Sequence, residues 1–156
     1  MNNTQILGIW DDHDSGYEKI SYIFQKAGDK HKLREYYLNF IDEPKNSIRW
    51  TRSDGIYESY HLDTQKKAKL ILLDIWSHPI QDGDALGDSQ REWFKHQVLN
   101  DTTTEIFIIG VGSPLVNNLF VSGDSVPNYN RKEIFEIINA KNAFFLVLTG
   151  EVHFSS

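Results

Sequence analysis

The sequence predicts an α/β fold of layered sheet and helices, in one domain covering residues 1–156. Four short apolar runs carry that reading, at residues 5–10, 70–73, 106–111 and 144–148. They are continuous rather than alternating, as strands covered on both faces are. Stretches with apolar residues at helical spacing lie between them, and strands alternating with helices build layered α/β domains. Composition agrees: 156 residues suit one domain, and 40% apolar with 24% charged residues exclude a disordered or fibrous chain.

After the first run, residues 15–29 admit either a short helix from Tyr17 to Phe24 or a loop at Gly16 and Gly28. Leu33, Tyr36, Tyr37, Phe40 and Ile41 then follow i, i+3, i+4, i+7, i+8 spacing, and Pro44 stops that helix. Residues 47–63 hold Ile48, Trp50, Ile56, Tyr57 and Tyr60 around Asp54-Gly55, which predicts a hairpin with its loop at those two residues. Ser89 and Glu92 form a capping box ahead of Trp93, Phe94 and Val98. Asn130 and Glu133 stand as cap and N3 partner ahead of Ile134, Phe135, Ile137 and Ile138. The predicted order is strand, helix, hairpin, strand, helix, strand, helix, strand.

A net charge of −6 argues against general nucleic-acid binding, though not against one phosphorylated ligand at a locally positive site. No apolar run approaches the roughly 20 residues of a membrane span. The first residues show no signal-peptide pattern, and the compartment stays undetermined. With no cysteine, thiol nucleophiles and thiolate metal ligands are excluded.

Every apolar run exits into polar residues: Asp11-Asp12-His13-Asp14, then Asp74, then Gly112-Ser113-Pro114, then Gly150-Glu151-Val152-His153. If the strands are parallel, these exits share one edge, where open α/β sheets bind ligands. Carboxylates with imidazole suit a hard or borderline cation such as Ca²⁺, Mg²⁺, Mn²⁺, Zn²⁺ or iron. Plainer readings stand beside this. Residues 11–14 also read as a solvated turn, Asp74 as a cap, Ser113 as a turn hydroxyl, and His153 as a strand-end histidine bonded to a carbonyl. Ser113 lacks the flanking glycines of a nucleophile elbow. Trp10 and Trp76 flank the shared edge.

Gly8-Ile9-Trp10-Asp11-Asp12-His13-Asp14 resembles the W-D-D-H-D/E motif of PhoD-like alkaline phosphatases, in the metallo-dependent phosphatase superfamily. Further pieces are similar in the same order: the helix from Glu35 ending in Asp42-Glu43-Pro44, the hairpin Gly55-Ile56-Tyr57-Glu58-Ser59-Tyr60, and the strand Lys69-Leu70-Ile71-Leu72-Leu73-Asp74. Leu86-Gly87-Asp88-Ser89-Gln90-Arg91-Glu92-Trp93-Phe94 and Leu148-Thr149-Gly150-Glu151-Val152-His153-Phe154 complete the series.

The resemblance implies a metallophosphatase-like β-sandwich flanked by helices, hydrolysing a small-molecule phosphate ester with divalent or trivalent metal ions. By motif, Asp12 and Glu151 fall on metal ligands, with Asp11 a further candidate. His13 falls on the histidine that contacts phosphate and leaving group, and His153 on a second site histidine. The family's upstream metal motifs do not precede Trp10 in this sequence, an arginine is replaced within Leu73-Asp74-Ile75-Trp76, and Glu151 stands for an aspartate. The resemblance therefore implies an incomplete copy with little independent turnover, a missing half that a partner chain could supply, and an uncovered sheet edge. Members are often secreted or luminal. The alternatives are a catalytically inactive metallophosphatase-like relic or binding module, and an unrelated α/β binding domain.

Overall fold

A computed structural model of the chain describes residues 5–15, 27–78, 84–115 and 126–150. The chain is an α/β protein. Among the described residues, β1 (Glu58–His61), β2 (Ala68–Leu73), β3 (Ile106–Val111) and β4 (Phe144–Thr149) form one sheet in that order. β1 runs antiparallel to β2, whereas β2, β3 and β4 are parallel. The helices are α1 (Asp12–Ser15), α2 (Ala27–Phe40), α3 (Gly87–Leu99) and α4 (Asn128–Asn139), with a 3₁₀ turn at Ile48–Trp50.

The parallel crossovers carry α3 and α4, as such connections require. The core gathers Ile71 and Leu73 of β2 and Phe107, Ile109 and Val111 of β3 with Phe94 and Val98 of α3 and Ile134 of α4. Each such buried side chain contributes about 1.5–3 kcal/mol. β2 is buried from Lys69 to Leu73, as its continuous apolar run predicts. β4 departs from that expectation. Phe145 and Val147 are half-buried, whereas Phe144, Leu146 and Leu148 on the other face are 63%, 44% and 52% exposed.

Two local expectations are corrected. Residues 5–10 form no strand and run irregularly over the end of the sheet. Arg49 Nη2 donates to the Gly8 carbonyl at 2.7 Å, and Arg49 is itself wholly buried against Glu43, with Nη1 3.0 Å from Oε2. The hairpin does not turn at Asp54-Gly55. It turns after His61, where the Asp63 carboxylate accepts from the amides of Gln65, Lys67 and Ala68, and Lys66 adopts φ 59°. An aspartate-built turn replaces the glycine turn the composition suggested.

The helix caps also differ. α3 starts at Gly87, and its first amides are held by Asp84, not by Ser89 and Glu92. α4 starts at Asn128; Asn130 is buried within it, accepting from the Ala85 amide and donating to Asp84, while Glu133 faces Arg91. Of the expected stripe, Ile41 just past α2 is buried, but Tyr36 and Phe40 are 68% and 79% exposed, and Leu38 is buried in their place. The alternative helix at Tyr17 to Phe24 lies outside the described residues.

Candidate functional site

Parallel pairing in register brings the ends of β2, β3 and β4 to one edge, so Asp74, Gly112 and Gly150 follow their strands side by side. The irregular N-terminal segment crosses this same edge. A Cβ on Gly112 would stand 2.5 Å from the Trp10 carbonyl oxygen and 3.3 Å from Asp11 Cα, so only glycine admits this approach. Gly150 in turn lies against the Gly112 backbone, and its amide donates to the Val111 carbonyl at 3.1 Å. The expected convergence of the exits thus holds for residues 10–11, 74, 112 and 150.

Asp74 ties the edge together. Its Oδ1 accepts from the Trp10 indole at 2.9 Å and from the Trp76 and Ser77 amides. Its Oδ2 accepts from the Ile56 amide at 2.8 Å and the Ser77 hydroxyl at 2.5 Å. Its own backbone amide and carbonyl are bracketed by the Gln90 side chain. With five donors on its oxygens, this carboxylate is a structural clamp, as the plainer reading held. Neither Gln90 nor Ile56 is read from the sequence as a partner of Asp74, because the partners of a buried acid leave no local pattern.

The acidic segment is organised differently. Asp11 is the N-cap of α1: its Oδ1 accepts from the Asp14 amide at 3.0 Å, and Asp14 Oδ2 reaches back to the Asp11 amide at 3.4 Å. This is a reciprocal cap in which both carboxylates crowd one short helix. Burial, and then the neighbouring Asp11 charge, raise the Asp14 carboxyl above its ordinary value. The Asp12 side chain is 16% exposed and accepts from the His13 amide at 2.8 Å. The His13 ring is 67% exposed, with Nε2 4.0 Å from Asp12 Oδ1.

Among the described residues no group of three or more histidine, aspartate or glutamate side chains converges as a metal cage. Glu151 and His153 lie outside the described residues. The donor chemistry of Asp11 and Asp12 fits a cation: two carboxylates share a confined turn, and part of their lone-pair capacity is left open by the hydrogen bonds above.

Ser113 follows Gly112 and is wholly buried; among the described residues its hydroxyl has no hydrogen-bond partner. Trp10 is buried, and its ring centroid lies 6.0 Å from that of Tyr37. Trp76 is buried as well.

No protein-family model matches the chain, and no match was found among curated proteins or solved structures.

Proposed function

We propose that this chain is a metal-dependent phosphoric ester hydrolase domain of the PhoD-like type, with its site at the carboxyl edge of the parallel strands. The observation that supports this most is the crossing of Trp10 and Asp11 over Gly112 and beside Asp74 and Gly150, which assembles distant pieces of the motif series on one edge. A β-sandwich core belongs to the same proposal.

In this reading Asp12, with Asp11 and Glu151, holds the cation, whose identity among Ca, Fe, Zn, Mn and Mg stays open. When bound, such an ion polarises a phosphoryl oxygen and lowers the pKa of coordinated water. The exposed His13 ring, beside Asp12, can contact a phosphate oxygen and give a proton to a departing alkoxide. His153 completes the site. Asp74 takes no part in the chemistry; it fixes the indole that positions Asp11.

One observation favours a second reading, a non-catalytic binding module: Asp11 and Asp14 already cap each other. Elemental analysis after loading with these ions separates the two. Retained metal, lost in Asp12→Ala, supports the hydrolase. Protein that stays metal-free after loading supports the module.

A further inference from the structure

Positive charge gathers on the same edge, at residues the motif reading left unassigned. Lys30 and Arg34 stand one turn apart on α2, and Tyr37 continues their face. Lys30 Nζ donates to the Ser77 carbonyl at 3.3 Å, and Arg34 Nη1 donates to the Arg52 carbonyl. Ser77 is the residue that donates twice to Asp74, and Asp74 holds Trp10. Further along, the Tyr37 ring packs 6.0 Å from that of Trp10. This face of α2 therefore runs along the strand-end edge, and α1 packs against the same helix.

Both cations are half-buried, and among the described residues neither forms an ion pair. The acids nearest Arg34 are already engaged: Asp74 by its five donors and Asp54 by the Tyr57 hydroxyl. Arg52, joined to Arg34, lies 3.9 Å over the Tyr57 ring, and its Nε has no hydrogen-bond partner among the described residues. In a chain of net charge −6, half-buried cations without an ion-pair partner among the described residues mark a place prepared for an external anion.

We propose that Lys30 and Arg34 are the anion-holding residues of the strand-end site and take the phosphoryl group of the ester. The remaining guanidinium donors of Arg34 suit a planar, two-oxygen grip, and Lys30 adds a point charge. The proposal rests on the hydrolase reading above.

The test titrates inorganic phosphate into the full chain at low and high salt, with metal affinity measured separately in the absence of phosphate. Lys30→Gln and Arg34→Gln should each weaken phosphate about tenfold, the order expected for one charge-assisted hydrogen bond. Salt should weaken the wild type more than either variant, and Arg34→Lys should recover part of the affinity. Metal affinity should stay at the wild-type level in each. Lys30→Gln, at a half-buried rim position, keeps the test open should Arg34→Gln fold poorly. Phosphate affinity unchanged in both glutamine variants overturns the proposal even where metal binds at Asp12. Phosphate binding that depends on these cations in a protein that takes no metal supports the anion-holding role of Lys30 and Arg34 and overturns the ester as its ligand together with the hydrolase reading. Absence of phosphate binding by the wild type overturns the proposal whatever the metal result.

Discussion

The indole of Trp10 donates to the carboxylate of Asp74 at 2.9 Å, joining residues 64 positions apart in a fully buried bond. This bond places the start of the acidic segment, because Asp11 follows Trp10 directly. Trp10→Phe keeps a smaller aromatic ring and removes the donor. It should cost roughly 1–2 kcal/mol, from the lost bond and the space left behind, since the remaining four donors still satisfy Asp74. Asp74→Ala strands those donors as well and should cost about 3 kcal/mol or more. Chemical denaturation of both variants checks the ranking; equal costs would show that Asp74 is not the hub.

Gly112 tests the position of the site rather than its stability. Alanine there meets the Trp10 carbonyl and the Asp11 backbone, neither of which is a flexible side-chain tip. Gly112→Ala should cost about 1–3 kcal/mol through overpacking. It should also displace Asp11 and Asp12, so metal affinity should fall further than in an equally destabilised variant elsewhere, such as Val98→Ala. A parallel loss in both variants would remove the positional claim.

Acid stability has one clear source at the opposite edge of the sheet. Burial alone would raise the Asp101 carboxyl, but hydrogen bonds from Lys69 and from the Thr104 and Thr103 amides reverse it and hold the group well below its ordinary value. A depressed folded-state value means stabilisation that is complete above the unfolded-state value, about pH 4, and lost as pH falls below it. Asp101→Asn should cost on the order of 3 kcal/mol at neutral pH and flatten the loss of stability below about pH 4. Urea midpoints across that range check both. An unchanged acid slope would mean that another carboxylate sets it.

The sheet was largely legible in the sequence because β2 and β3 bury nearly continuous apolar runs, and such runs need no partner to be recognised. Residues 5–10 read the same way yet form no strand, because what fixes them is Arg49, Asp74 and Gly112, all distant in sequence. The turn after His61 was missed because Asp63 builds it with its side chain, where a search for glycine looks elsewhere. The acidic segment is legible as the polar exit of an apolar run, and the roles of its residues come from the motif resemblance. Lys30 and Arg34 are not legible in this way, since basic residues one turn apart on a helix ordinarily mark a solvated face, and only the absence of ion-pair partners among the described residues distinguishes these two.

In the proposed hydrolase the acidic segment divides its labour, with Asp12 on the cation and His13 on the phosphate. The most direct measurement is calorimetric titration of a divalent ion, and then of phosphate into the ion-loaded protein, for the wild type, Asp12→Ala and His13→Ala. Weak ion binding is expected of the wild type and His13→Ala and none of Asp12→Ala, with phosphate weakened in His13→Ala about tenfold. Ion binding that survives Asp12→Ala, or that disappears in His13→Ala while phosphate binding remains, would contradict that division.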